Sequence, residues 1–115
     1  MLDYPKVSAR LNQWGLLGHL IAARTTRLSK DAAILYCRAI TNDPKLTVRV
    51  KRGGSWAYLQ RNSITLSCDS QRRVAFASVL HECAHILDYR KGKLRNGPHG
   101  ESFCRTYARL LKETL

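Results

Sequence analysis

The 115-residue chain predicts an α+β fold in a single domain over residues 1–115. Three observations carry that expectation. Apolar residues recur at spacings of three and four toward both ends, the middle of the chain switches to strict alternation, and turn-forming residues mark the changes. The expected order is N-terminal helices, a small three-stranded antiparallel sheet, then two C-terminal helices.

Pro5 suits a first helical turn. From there Val7, Leu11, Trp14, Leu17 and Ile21 form an apolar helical stripe, with Gly15 and Gly18 as points where it breaks. Ser29 and Asp31 signal the start of a second helix carrying Ala32, Leu35, Tyr36, Ala39 and Ile40, which stops before Asn42-Asp43-Pro44. Leu46, Val48 and Val50 alternate with Thr47, Arg49 and Lys51, the period of a half-buried strand. Gly53-Gly54 is read as a tight hairpin turn, Ser55 to Gln60 as the return strand, Arg61-Asn62-Ser63 as a turn and Ile64 to Cys68 as a third strand. Asp69 or Ser70 is expected to cap a helix over Arg72 to Lys91, ended by Gly92. A last helix is expected from Pro98 to Lys112, with Phe103, Tyr107, Leu110 and Leu111 facing inward.

Charge sets this chain apart from an average globular sequence. Twenty Lys and Arg against eight Asp and Glu give +12, an excess that favours polyanions, nucleic acid foremost. Local clusters fall at Arg49-Lys51-Arg52, Arg72-Arg73 and Arg90-Lys91-Lys93-Arg95. The last is expected to rim the site described below. The four cysteines form no C-x-x-C pair, and Cys37, Cys83 and Cys104 lie in apolar helical stretches that suit buried free thiols. The N-terminus lacks a signal-peptide pattern. The longest apolar stretch, Trp14 to Ala23, is short for a membrane span and contains His19. These features point to a reducing cytoplasm and to no membrane partner.

The chemistry concentrates in His81-Glu82-Cys83-Ala84-His85, an H-E-x-x-H segment. On a helix its histidines sit one turn apart on one face, where two neutral imidazoles can grip one Zn²⁺. Glu82 lies about 100° round the helix from His81, so it is expected beside the metal, as general base toward a zinc-activated water. A tetrahedral ion needs a third ligand from another direction. His99, after a loop bounded by Gly97, Pro98 and Gly100, is placed to supply it. Glu101 is the rival third ligand, in which case His99 would support the site from outside.

The pair of segments His81-Glu82-Cys83-Ala84-His85 and His99-Gly100-Glu101-Ser102-Phe103 resembles the SprT-like and related small zincin metallopeptidases. In that family an H-E-x-x-H helix is completed by a histidine in an H-G-x-x-[FW] segment. The resemblance spans roughly residues 46 to 111. It implies a zincin-like metallohydrolase domain, zinc held by His81, His85 and His99, Glu82 as catalytic base, and a protein or peptide substrate. Unlike SprT-type proteins, the sequence carries no zinc ribbon.

Other residues have plainer readings. Asp88, three residues past His85 and near the ligand face, could bind His85 or a nearby basic residue but is read as a helix-end surface carboxylate, Cys83 as packed inside, and His19 as a helix residue with no functional partner. Tyr89, Arg95 and Tyr107 are chemically able to stabilise an oxyanion, but packing or a solvated charge is the favoured reading of each. Trp56 and Tyr58 are read as residues of a sheet core or face rather than a base-stacking platform, on a strand that could also pair with an extended substrate. Two function classes follow: a zinc metallopeptidase, including one acting on nucleic-acid-associated proteins, or a basic nucleic-acid-binding protein with a non-catalytic metal site. Only three ligands are evident, and a structural zinc takes four, which favours the open, reactive site.

Overall fold

Leu11 and Leu16 decide how the chain enters the core. The computed structural model, which describes residues 4–92 and 99–114, opens with helix α1 (Tyr4–Gln13) and helix α2 (Leu17–Thr25). Between them Gly15 adopts φ +75°, the left-handed conformation that glycine enters without a Cβ clash. The Gly15 amide donates to Asn12 carbonyl at 3.0 Å and the Leu16 amide to Leu11 carbonyl at 2.8 Å. That pattern is a Schellman stop, and its two flanking leucines are both buried. The stop resets the apolar register. Leu16, Leu20 and Ala23 face the core, whereas Trp14, Leu17 and Ile21, expected to continue one stripe, are exposed, Ile21 by 50%.

Strand β1 (Arg27–Leu28) leads to helix α3 (Lys30–Ile40). The Ser29 hydroxyl caps it by accepting from the Ala32 amide at 3.2 Å. Asn42, at φ 52°, ends it in a second Schellman arrangement, with Asn42 amide to Ala39 carbonyl at 3.1 Å and Asp43 amide to Arg38 carbonyl at 2.9 Å. The face turned inward is Ala33 and Cys37. Leu35, one of the apolar residues named for this helix, is 66% exposed, and Tyr36 is also exposed while its ring meets Phe76 at 4.9 Å.

The three-stranded sheet departs from the expected antiparallel meander. Its order is β2 (Thr47–Lys51), β4 (Ser63–Ser67), β3 (Trp56–Tyr58). β2 pairs with β4 in parallel, Val48 opposite Ile64, and β3 pairs with β4 antiparallel, Ala57 opposite Ile64. The reason lies in burial. Ile64, Thr65 and Leu66 are all buried, so this strand takes the centre, while β2, with side chains alternately exposed and half-buried, takes an edge. Gly53-Gly54 therefore opens a wide crossing rather than a hairpin. A 3₁₀ turn (Leu59–Arg61) and left-handed Asn62 bring the chain back. Where the ladder gaps, Ser55 Oγ accepts from the Ser67 amide at 2.7 Å.

Strand β5 (Val74–Ala75) pairs antiparallel with β1 in a second, two-residue-wide sheet that periodicity did not predict. This pairing delays the metal-motif helix α4, which runs Phe76–Arg90 rather than from Arg72. Asp69 does not cap it. Its carboxylate instead accepts from the Gln71 and Arg73 amides at 2.9 and 3.0 Å and closes the turn before β5. Gly92, at φ +68°, ends α4 as expected. Helix α5 (Glu101–Thr114) begins with Gly100 carbonyl accepting from the Cys104 amide at 3.0 Å. The expected start at Pro98 lies outside the described residues. Phe103, Tyr107, Leu110 and Leu111 are buried as expected.

The described residues thus form an α+β fold of five helices and two small sheets around one hydrophobic cluster. α4 is its axle: it packs against α2, α3, α5 and β4. Among the described residues no helix is long and apolar enough to cross a membrane.

Candidate metal centre

His81 and His85 lie one turn apart on α4, and His99 stands two residues before α5. Their Nε2 atoms form a near-equilateral triangle: 3.2 Å from His81 to His85, 3.2 Å from His81 to His99 and 3.1 Å from His85 to His99. Hydrogen bonds cannot account for all three contacts. A neutral imidazole nitrogen either carries a proton or offers a lone pair, and three mutually touching nitrogens cannot alternate, so one pair always matches like with like. A cation at the centre removes the conflict, because all three lone pairs then point to it. Tetrahedral zinc with Zn–N bonds of ~2.0–2.1 Å sets its donors about 3.3–3.4 Å apart. The triangle fits that spacing and leaves a fourth direction open. Among the described residues, these three histidines are the group placed to hold a metal ion.

Burial sets the charge of these rings. It pushes the His81 pKa down to about 2, helped by the neighbouring His85 and His99, and that of His85 down to about 4, helped by His99. Both rings therefore stay neutral, the form that binds metal, well into acid. Phe103 organises the three rings. It stacks on His85 at 4.3 Å and 26°, and meets His81 at 4.9 Å and His99 at 5.1 Å. Tyr107, one turn further along α5, meets the His81 ring edge-on at 5.6 Å.

Glu82 is 3% exposed, and burial alone raises its pKa to about 8. Among the described residues none donates a hydrogen bond to it. Cys83 is fully buried on another side of α4, with Sγ 4.0 Å from Cys37 carbonyl; the neighbouring Cys37 side chain and burial hold its thiol well above the usual range. It packs inside, as expected. All four cysteines are free thiols.

Two expectations need correction. Asp88 is not a surface carboxylate. It is 2% exposed and accepts from the Ser102 hydroxyl at 2.5 Å, tying α4 to the first turn of α5. Nor does the Arg90 cluster present all its charge to the site. The Arg90 guanidinium donates to Thr41 carbonyl and to Asn62 Oδ1 (3.1 Å), and lies 3.6 Å from the Asp43 carboxylate. Lys93 and Arg95 lie outside the described residues.

Glu101, the rival ligand, is exposed and pairs with Arg105 at 3.6 Å; the structure brings His99, not Glu101, to the other two histidines. His19 is half-buried on α2, away from the cluster. Of the residues able to stabilise an oxyanion, Tyr107 reaches the site. Its hydroxyl lies 3.5 Å from Ala77 carbonyl, and it lines a cavity of about 150 Å³ with His81, Ala77 and Ser78.

Sequence reasoning missed the shared role of Phe103 and the Asp88–Ser102 link. The second had a signal. Asp88 follows His85 by three residues on α4 and so shares its helical face, and Ser102 follows His99 by three at the start of α5.

No protein-family model matches this chain, and no curated protein or solved structure matches it either.

Proposed function

We propose that this protein is a zinc-dependent metallopeptidase of zincin-like architecture, acting on protein or peptide substrates, including proteins associated with nucleic acid. The observation that carries the reading is the triangle of His81, His85 and His99, set one residue from a buried carboxyl group. His81, His85 and His99 would hold the ion. When bound, it supplies Lewis acidity that polarises the scissile carbonyl and makes water a nucleophile near neutral pH. Glu82 accepts a proton from the attacking water as the new C–O bond forms. It then returns that proton to the amine as the C–N bond breaks. Its raised pKa suits it to carry a proton between the two steps, and a nearby cation favours the ionised form that starts the cycle. Tyr107, against His81, is the side chain best placed to support the developing negative charge. Four free thiols support a reducing compartment such as the cytoplasm.

The test pairs metal analysis with turnover. Wild-type protein is expected to bind one zinc per chain and to cleave an unstructured protein substrate. Glu82→Gln is expected to bind the same zinc and cleave nothing. Stoichiometric zinc without cleavage in the wild type would leave the non-catalytic metal site as the better account.

A further inference from the structure

We propose that a basic cleft remote from the histidines binds the phosphodiester backbone of single-stranded nucleic acid. The cleft lies between the start of α3, the end of β2 and the turn that follows β4. It encloses about 490 Å³ and shares no lining residue with the cavity at His81. The assignment rests on the nucleic-acid association proposed above and is independent of the metal.

Four cations converge there from three segments far apart in sequence: Lys30, Lys51, Arg52 and Arg72. All four are exposed, and among the described residues none forms an ion pair. The one carboxylate in the lining, Asp69, already accepts two backbone amides through Oδ1. Four like charges gathered around one engaged acid repel one another, and an anion in the cleft offsets that repulsion. Arg72 adds a backbone observation. It sits at φ 60°, a conformation that disfavours a side chain, in a turn closed by Arg72 amide to Asp69 carbonyl and Asp69 amide to Arg73 carbonyl, both at 2.9 Å. The turn fixes a long cationic side chain at the cleft where glycine would fit the backbone better.

Aromatic rings beside the cations select the kind of polyanion. The Lys51 ammonium lies 4.9 Å over the Trp56 ring, and Tyr58, exposed on the same short strand, meets Trp56 edge-on at 6.0 Å. Cations that track phosphates beside rings that can stack on bases form a single-strand platform, because a duplex keeps its base faces covered.

The experiment titrates the zinc-loaded full chain against a fluorescein-labelled 15-nucleotide oligothymidylate, by anisotropy, at several salt concentrations. Contact with three or four phosphates predicts a log-log salt slope of about −2 to −3. Lys30→Glu with Arg52→Glu is expected to weaken binding at least ~10-fold and flatten that slope by about 1.4, at ~0.7 per phosphate contact. Arg105→Glu with Arg109→Glu on α5 lowers the net charge by the same four units and is expected to leave affinity within about twofold, because neither residue lines the cleft and its phosphate contacts are all retained. Arg72→Gly, which removes a charge while suiting the backbone, is expected to weaken binding with the melting temperature kept. Equal losses in the two charge-matched variants would reduce the effect to net charge and overturn the cleft. So would wild-type affinity in the cleft variant, or a duplex of equal length bound as tightly as the single strand. Zinc content and peptide cleavage are measured on the same preparations, so a failure of the metal reading leaves the oligonucleotide result standing, and the reverse.

Discussion

Ser102 donates its hydroxyl proton to the buried carboxylate of Asp88 at 2.5 Å, and this bond joins the helix bearing His81 and His85 to the helix that follows His99. Its place, three residues beyond His85 on one side and three beyond His99 on the other, makes it a brace for the histidine triangle. Ser102→Ala leaves a buried acceptor without its donor, and a hydrogen bond to a charged group contributes roughly 1.5–3 kcal/mol. Zinc affinity is expected to fall ~10–100-fold, as for other supports of metal ligands. Chelator competition checks this. Unchanged affinity alongside a lower melting temperature would make the bond merely structural.

The third ligand is tested by two substitutions close together. His99→Ala is expected to lose stoichiometric zinc. Glu101→Gln is expected to keep it, because Glu101 is turned out toward Arg105. Metal analysis after dialysis separates them, and the opposite pattern would reverse the assignment.

Phe103 contacts all three imidazoles and is fully buried. Phe103→Ala removes that wall, and large-to-small changes of this kind cost ~3–5 kcal/mol. The urea midpoint of the metal-free protein should fall accordingly. Phe103→Leu should recover much of the loss in stability while zinc affinity stays below wild type, because a branched alkyl group cannot stack on His85.

Metal-free protein should carry a pH signature from Glu82. Its pKa is raised from 4.5 to about 8 in the fold, so folding favours the protonated form. Below pH 4.5 the folded and unfolded states both hold the proton and there is no penalty. Between 4.5 and 8 the unfolded state releases it while the folded state retains it, so stability falls as pH rises. Glu82→Gln cannot ionise. Its urea midpoint should pull ahead of wild type progressively from pH 5 to pH 8; a constant gap would contradict the buried, neutral carboxyl. His81 and His85, with lowered pKa values, act on the other side. Their contribution is present above about 6.5 and is lost as pH falls below it, toward about 4 for His85 and lower still for His81.

Gly15→Ala tests the reset of register before α2. No atom lies within 4 Å of the added Cβ, so the whole cost is the left-handed backbone, ~1–2 kcal/mol. Thermal melting should show it, and Gly15→Asn, which tolerates that conformation, should show less.

Features written in short-range chemistry were legible. The H-E-x-x-H spacing, the Ser29 cap, the stop at Asn42, Gly92 at the end of α4 and the inward stripe of α5 all depend on residues within about one turn of each other. What escaped depends on partners distant in sequence. Which edge of β4 receives β2 is settled by burial of Ile64, Thr65 and Leu66 from both sides, and alternation within β2 does not encode it. Leu35 and Tyr36 are apolar in sequence and yet exposed, and α3 turns Ala33 and Cys37 inward because small residues let it approach α4 closely. In the site, His81, Glu82, His85 and His99 were marked by spacing alone. Asp88 was misjudged because its burial needs Ser102 from another helix.

The aromatic wall behind the histidines has one more consequence. Rings wedged against Phe103 keep their positions by packing, so the socket is finished before anything enters it. Loading is then a matter of exchange rather than folding. Cobalt or nickel should slip into the same seat from solution, turning a colourless protein into one whose spectrum reports directly on its coordination.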